Sequence, residues 1–260
     1  IYERVAGELP NDDTATELSA VQLEALGPDY NTPIHVTDAP ELPGGAVNPS
    51  LGTGAISRKY REIAPGVTWF DDFLTPQALS LLQRVMREST IWHDFKHIGG
   101  FVASYLEDGL ASPLILQIAD EIRISLPELL GEHPLCQAWA FKGLRGNQPI
   151  EIHADDASIS LNFWITPDIA NLMPGSGGLI VCHEAPPADW PILDYHADRA
   201  RISDFLECHG DSAIRVPYRT NRATLFDSRL FHGSDAPDFA PGHENHRINI
   251  TMLFGNNLTM

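Results

Sequence analysis

Two histidines and an aspartate have the residue types and the spacing of metal ligands. His153 and Asp155 are two residues apart in a segment of alternating polar and apolar residues. On an extended chain their side chains share one face, with Cα atoms roughly 6.5 Å apart. His232 ends another short apolar segment, and the fold could bring it to the other two. Two imidazoles and one carboxylate on one side of a metal suit non-haem Fe(II) and leave positions open for further ligands.

Arg247 follows His232 by fifteen residues (247 − 232) and opens the last predicted strand. A guanidinium binds a carboxylate through two parallel hydrogen bonds, and an arginine buried beside a metal would need a resident anion. Asn249 and Thr251 share its face of the strand, and Asn162 lies on the polar face of another. We predict that these four residues bind an anionic co-substrate.

Charge and composition narrow the classes of partner. The chain has 260 residues, with 17 basic and 35 acidic ones, and a formal net charge of -18. Such a charge repels nucleic acids and anionic membranes, so we expect neither as a partner. No apolar run approaches the roughly eighteen residues that span a membrane, and no basic-then-apolar leader opens the chain. Three cysteines without CxxC spacing fit a reducing cytosol, so we predict a cytoplasmic protein.

The chain divides into two parts by composition. Residues 1–66 are rich in Pro, Gly, Asp and Thr, and only residues 16–26 have a short helical pattern. We predict that residues 1–66 are a loosely ordered arm or linker. Because the chain begins with Ile1 rather than Met, we also expect it to be a fragment or a processed product.

Residues 67–260 are expected to form one β-rich domain with flanking helices. A strand at 67–70 precedes two helices, which begin at Thr75-Pro76 and Ser112-Pro113. The second helix ends or kinks at Pro127. Eight short strands are then predicted, at residues 136–142, 150–155, 158–166, 178–182, 213–216, 222–226, 230–233 and 247–254. Several have one polar face. This pattern predicts a β-sandwich or barrel that encloses a polar cavity.

Several motifs together resemble a known superfamily. They are Phe73–Leu79, Glu88–Trp92, Ile152–Asp155, Asn162–Asp168, Ser176–Leu179, Leu230–His232 and Arg247–Thr251. The region from about residue 67 to 254 is similar to the Fe(II)- and 2-oxoglutarate-dependent dioxygenases, which have a double-stranded β-helix core of the jelly-roll or cupin-like kind. Within them it most resembles the prolyl-4-hydroxylase-like branch, and in particular bacterial oxygenase domains that are often attached to tetratricopeptide repeats.

The resemblance implies an activity and the roles of the site residues. His153, Asp155 and His232 would bind Fe(II), and Arg247 would bind the distal carboxylate of 2-oxoglutarate. The reaction would consume O₂ and 2-oxoglutarate, release succinate and CO₂, and hydroxylate an unidentified small molecule or protein side chain. Animal-type prolyl hydroxylases have lysine at the position of Arg247 and a tyrosine on the first core strand, so a prolyl substrate does not follow. The insertion at 183–221 could form a lid over the substrate.

Two other functions fit parts of the pattern. A zinc-dependent hydrolase could use the same three ligands, with Glu151 or Asp156 as a weak candidate for the general base, but it would leave Arg247 without a role. A non-catalytic β-sandwich binding module could retain the ligands without turnover. Neither substrate nor oligomeric state follows from the sequence.

Overall fold

Two antiparallel sheets and a helical layer make up the protein. The computed structural model describes residues 1–10, 15–28, 30, 35–62, 66–95, 100–144, 149–209 and 212–256. Its helices are α1 (Tyr2–Gly7), α2 (Ala20–Leu26), α3 (Thr53–Glu62), α4 (Pro76–Glu88), α5 (Pro113–Ser125), α6 (Pro127–Leu130), α7 (Ile192–His196) and α8 (Arg199–His209). Its strands are β1 (Val67–Phe70), β2 (Phe101–Tyr105), β3 (Leu135–Gly143), β4 (Ile159–Trp164), β5 (Leu179–Cys182), β6 (Ala213–Val216), β7 (Ala223–Asp227), β8 (His232–Ser234) and β9 (Ile248–Phe254).

The major sheet has the strand order β1-β7-β4-β9-β3-β2, and the minor sheet has the order β6-β5-β8. The inner faces of the two sheets meet in an apolar cluster to which Trp164 and Phe226 contribute from the major sheet and Leu179 and Val181 from the minor sheet. This is the predicted double-stranded β-helix with flanking helices. No helix in the described ranges is long and apolar enough to cross a membrane.

The helices α4 and α5 cover the outer face of the major sheet. Thr75 caps α4 by accepting a hydrogen bond from the Ala78 amide, and Ser112 caps α5 in the same way. Their apolar stripes pack against β4 and β9 residues such as Phe163 and Ile250. The helix starts predicted from Ser/Thr-Pro pairs are therefore confirmed, since the hydroxyl satisfies an amide that the helix leaves unpaired.

Alternation along β4 and β9 separates two environments, as the sequence predicted. Residues 161, 163, 250 and 252 belong to the main core with the helices. The intervening Asn162, Arg247, Asn249 and Thr251 line a cavity between the sheets. The sheet therefore carries a packed apolar face and a polar face at once.

One sequence-based expectation about strands was wrong, and one strand was not predicted. Residues 150–155 do not form a continuous strand, and only His153 makes a bridge, to His232. Their other edge is bonded to Tyr195 of α7 and to the side chains of His196 and Arg199 instead of a strand. β2 was not predicted, because the apolar and polar residues of Phe101–Tyr105 do not alternate clearly.

Part of the segment expected to be a loosely ordered arm packs into the main core. Ala39, Leu42, Ala46 and Val47 are almost fully buried there, and Ile56 of α3 joins them. Backbone groups of residues 46–48 pair with residues 73–75. Burial of small and aliphatic side chains holds this stretch against α4 and α5, although its Pro- and Gly-rich composition prevents regular structure.

Candidate metal centre

Residues 153–155 reach the site beside the short strand β8. The amide of His153 donates to the carbonyl of His232 (2.9 Å), and the amide of His232 donates back to the carbonyl of His153 (2.7 Å). The amide of Asp155 donates to the carbonyl of Ser228 at 2.9 Å. These bonds fix two segments that are nearly eighty residues apart in the sequence next to each other. The structure thus brings together the three predicted ligands.

The three side chains converge with their coordinating atoms free to face one another. His153 Nε2 lies 3.6 Å from Asp155 Oδ1, and His232 Nε2 lies 3.3 Å from Asp155 Oδ2. All three ligand atoms lie within 4.8 Å of one another. Such spacing allows one ion to contact all of them. Within the described residues this is the one such group of three histidine, cysteine or acidic side chains.

Backbone carbonyls orient both imidazoles. Nδ1 of His153 is 2.8 Å from the carbonyl oxygen of Glu151, and Nδ1 of His232 is 2.8 Å from that of Leu230. A carbonyl oxygen only accepts hydrogen bonds, so each Nδ1 carries a proton, and in the neutral form of the ring Nε2 keeps a lone pair. This arrangement is typical of metal-binding histidines, whose second nitrogen donates to a backbone oxygen.

Burial sets the charge of the centre. Burial, together with the neighbouring imidazole of His232, lowers the pKa of His153 to about 4, so this ring is neutral at physiological pH. Although burial raises the pKa of Asp155, the imidazoles of His232 and His153 lower it more, and the carboxyl is ionised. Asp155 Oδ2 is buried without a hydrogen bond in the structure. A buried anionic oxygen without a donor is costly and is well suited to a cation.

Arg247 lies in the same cavity with its guanidinium almost fully buried. Nε donates to the carbonyl of Gly177 (2.7 Å), and Nη1 donates to Oδ1 of Asn249 (2.8 Å). Burial lowers its pKa to about 10, which leaves it charged at neutral pH. Among the described residues it has no carboxylate partner, so its positive charge is directed to the cavity.

The remaining predicted site residues lie around the same cavity. Asn162 Nδ2 donates to Thr251 Oγ1 at 2.8 Å, while its Oδ1 is buried without a partner. Asn249 supports the guanidinium of Arg247, as described above. All seven residues predicted from the sequence therefore line one cavity.

Sequence reasoning missed several residues of the site. Phe226 packs against the ring of His232, with centroids 4.7 Å apart, and Leu179, Ile150 and Ser234 line the cavity. The carbonyl of Gly177, which positions Arg247, also went unnoticed. Its Gly-rich turn was visible in the sequence, but only the fold shows that Gly178 has no room for a Cβ, which would lie 1.9 Å from the carbonyl oxygen of Val216.

Glu151, the weak general-base candidate of the hydrolase hypothesis, does not line this cavity. Its carboxylate is largely exposed and pairs with Arg199 at 2.7 Å. A surface groove larger than this cavity, with Glu151, Arg199 and Leu206 in its wall, lies beside α8, and none of the three ligand side chains borders it. Size alone therefore does not identify the reactive site.

The donor set and the orphaned carboxylate oxygen fit a divalent metal ion of the iron type. Two imidazoles and one carboxylate occupy one side of the centre, and the aromatic and polar cavity lies on the other. An ion held there would keep coordination positions directed to the cavity. The chain could thus bind a metal and a small anion side by side.

Comparison of the sequence with protein-family models gives no match, and comparison with curated proteins gives none either. Solved structures do match. A prolyl hydroxylase from Trichoplax adhaerens, in complex with a peptide fragment of the hypoxia inducible factor oxygen degradation domain, has a TM-score of 0.51 and 12% identity, over 78% of this chain and 89% of that one.

HygX from Streptomyces hygroscopicus, with nickel and 2-oxoglutarate bound, has a TM-score of 0.53 and 11% identity over 77% of this chain and 87% of its own. An oxidoreductase of the 2OG-Fe(II) oxygenase family from Burkholderia pseudomallei has a TM-score of 0.51 and 9% identity over 84% of this chain and 95% of its own. At such identities the likeness concerns the fold. The chain therefore has the double-stranded β-helix fold of these oxygenases.

Proposed function

We propose that this chain is an Fe(II)- and 2-oxoglutarate-dependent dioxygenase, an oxidoreductase that hydroxylates a small molecule or a protein side chain. The observation that supports this most is the convergence of His153, Asp155 and His232 on a cavity that also contains the buried guanidinium of Arg247. Structural neighbours with nickel and 2-oxoglutarate bound support the same metal and co-substrate.

Each ligand residue has a defined task in this proposal. The Nε2 atoms of His153 and His232 and the carboxylate of Asp155 hold Fe(II), and the carbonyls of Glu151 and Leu230 fix the ring orientations. Iron held by these residues would supply the reduction of O₂, coupled to oxidative decarboxylation of 2-oxoglutarate to succinate and CO₂, with one oxygen atom going to succinate and the other to the substrate C–H bond. Burial keeps the ring of His153 neutral, and the carboxyl of Asp155 stays ionised.

Arg247 binds the distal carboxylate of 2-oxoglutarate. Its Nε and Nη1 are held by Gly177 and Asn249, which orient the guanidinium into the cavity. Thr251 and Asn162 form a hydrogen-bonded pair beside it, and the Thr251 hydroxyl can donate its own proton to an anion. A bidentate guanidinium–carboxylate contact supplies both charge neutralisation and orientation.

The two rival functions have less support. A zinc hydrolase needs a general base next to the metal, whereas Glu151 faces solvent and pairs with Arg199. It also leaves a buried guanidinium without a task. A binding module would not need two imidazoles with both Nε2 atoms directed at one carboxylate. The substrate remains a neutral or basic small molecule or protein side chain, in keeping with the formal net charge of -18.

The arrangement of the chain and its compartment belong to the same proposal. We infer that residues 67–260 form the catalytic domain and that residues 1–66 form a separate segment, part of which packs on it. We place the protein in the cytoplasm, because its three cysteines, Cys136, Cys182 and Cys208, are all free thiols. Nucleic acids and membranes are not proposed as partners.

Arg247→Leu tests the proposal. We expect wild-type protein with Fe(II) and O₂ to convert 2-oxoglutarate to succinate, slowly when substrate is absent. The variant should bind 2-oxoglutarate about ten- to a hundredfold more weakly, since it loses hydrogen bonds between charged groups. Its affinity for Fe(II) should change little. Anaerobic titration, followed by the charge-transfer absorption of the iron complex, measures both constants.

Arg219→Leu is a matched control, because Arg219 is half-exposed and its partner Asp71 keeps Arg222. It should leave both affinities unchanged. Equal loss of metal and 2-oxoglutarate binding in Arg247→Leu would refute the role of Arg247. Absence of Fe(II)-dependent succinate formation by the wild-type protein would favour the binding module.

A further inference from the structure

The insertion between β5 and β7, residues 183–221, packs against the back of the segment that carries two metal ligands. Ala154 is fully buried in a small apolar cluster with Ile202 of α8 and Phe231, and Ile152 and Phe205 pack against this cluster. His153 and Asp155 leave the opposite side of the same segment into the cavity. The insertion therefore contacts the face that alternates with the ligand face.

The backbone edge of this segment is also covered by the insertion. Alternate residues of an extended chain direct their backbone groups to opposite neighbours. His153 bonds with β8, so the groups of residues 152 and 154 point the other way, as on an edge strand. The amide of Ala154 donates to the carbonyl of Tyr195 (3.0 Å), and His196 Nδ1 lies 3.2 Å from the carbonyl oxygen of Ala154.

Arg199, at the start of α8, completes this edge. Its Nη1 donates to the carbonyl oxygens of both Ile152 (3.2 Å) and His196 (2.8 Å), and its Nε donates to the carboxylate of Glu151 (2.7 Å). One guanidinium thus joins the ligand segment, through Glu151 and Ile152, to the end of α7, whose residues Tyr195 and His196 bond to Ala154. Its planar fork suits this set of acceptors, which a single ammonium group could not satisfy together.

We propose that the 183–221 insertion is a positioning element for the metal centre, and that Arg199 is its principal positioning residue. This inference rests on the proposed function, because it concerns the geometry of the same ligands. Arg199 acts through residues 151–154 and contacts neither metal nor co-substrate. In this proposal the insertion supports the metal ligands and is not a lid over the substrate.

The need for such an element follows from how few bonds hold the ligand segment to the rest of the minor sheet. Within residues 150–155, Ile150 and His153 are bonded to β8, and Asp155 is bonded to Ser228, while residues 151, 152 and 154 make no bond to the described strands of the sheet. Ligand geometry must be kept within about half an ångström for tight metal binding. Groups that orient ligands commonly change metal affinity by about ten- to a hundredfold when they are removed.

Arg199→Ala is the first test, with Co(II) as a spectroscopic probe of the metal site. We expect Co(II) affinity to fall about tenfold, the visible absorption of the bound ion to change, and Arg199→Lys to recover part of the affinity. Arg219→Ala is the matched control, since it removes the same charge from the same insertion at a position bonded to Asp71. Unchanged Co(II) affinity and absorption in Arg199→Ala would overturn the proposal.

Amide hydrogen exchange of the metal-free protein is the second test. In Arg199→Ala the amide of Ala154, which is bonded to Tyr195, should exchange at least several-fold faster, whereas the amides of β4 should be unaffected. Equal exchange of Ala154 in variant and wild type would contradict the inference. If wild-type protein binds no Co(II), the proposed function fails instead, and the exchange of Ala154 alone decides whether Arg199 fixes this segment.

Discussion

Two buried cations lie on opposite faces of the major sheet, and their surroundings give them different tasks. Arg247 faces the cavity and is held by oxygen acceptors from Gly177 and Asn249. Lys142 is almost fully buried on the outer face of β3, with its Nζ 4.8 Å from the centre of the Trp92 ring. Arg247 can therefore contact a ligand in the cavity. For Lys142, the ring of Trp92 is the one stabilising partner among the described contacts.

Lys142→Met should stabilise the protein at neutral pH. Burial lowers the pKa of Lys142 to about 8, below its usual value, so folding penalises the charged form. This penalty on the free energy of folding is complete below about pH 8. It disappears above about pH 10.4, the pKa of lysine in the unfolded chain. Because the variant also loses the contact with Trp92, we expect its free energy of unfolding to rise by about 1 kcal/mol at pH 7. Urea unfolding at pH 7 and at pH 10 measures it.

The difference between Lys142→Met and wild type should shrink as the pH rises through this window. Lys59→Met, on the exposed side of α3, is a control with the same change of side chain and should show no such pH dependence. A stability difference that is the same at pH 7 and at pH 10 would mean that the ammonium of Lys142 is not penalised in the fold.

At the scale of elements, the close approach of residues 150–155 to β8 creates the ligand set. Gly233 lies between the ligand residue His232 and Ser234, and a Cβ on Gly233 would lie 2.7 Å from the carbonyl oxygen of Ile150. The absence of a side chain therefore permits the bridge between His153 and His232. A glycine at such a position serves close backbone approach.

Gly233→Ala should weaken metal binding about tenfold or more, because the methyl group forces residues 150–153 away from β8 and separates the two imidazoles. Calorimetric titration with Ni(II) measures the loss. Gly54→Ala is the control: the added methyl in α3 meets no atom within 4 Å and should slightly raise stability. Full Ni(II) affinity in Gly233→Ala would show that the spacing of these segments does not set ligand geometry.

At the scale of the whole molecule, the amino-terminal segment is joined to the helical layer through α5. Glu121 Oε2 accepts hydrogen bonds from the amides of Ala46 (2.8 Å) and Val47 (2.7 Å), and Gln117 bonds both backbone groups of Leu42. These side chains replace the backbone partners that an irregular buried segment lacks. Residues 39–47 thus extend the core that supports the major sheet.

Glu121→Ala should lower the free energy of unfolding by about 2 kcal/mol, since it leaves two buried amides without an acceptor. Thermal or urea unfolding measures the change, and metal affinity should be nearly unaffected because the contact lies on the far side of the sheet. Glu62→Ala, an exposed carboxylate at the end of α3, serves as control. Equal stability of Glu121→Ala and wild type would mean that residues 46 and 47 are not held by α5.

Local patterns determined much of this protein from the sequence by itself. The Thr75-Pro76 and Ser112-Pro113 pairs predicted both long helices, because caps act within one turn. Alternation in β4 and β9 predicted which side chains face the cavity, because successive residues of a strand point to opposite sides. The types and spacing of His153, Asp155, His232 and Arg247 predicted the ligand set.

Only the tertiary structure decided how distant segments meet. The single bridge between His153 and His232, the packing of residues 39–56 in the core and the contact of Arg199 with Ile152 all join residues far apart in sequence. Such contacts depend on loop closure and on shape complementarity, which no local pattern encodes. Residue chemistry thus came from the sequence, whereas the geometry that makes it a site came from the fold.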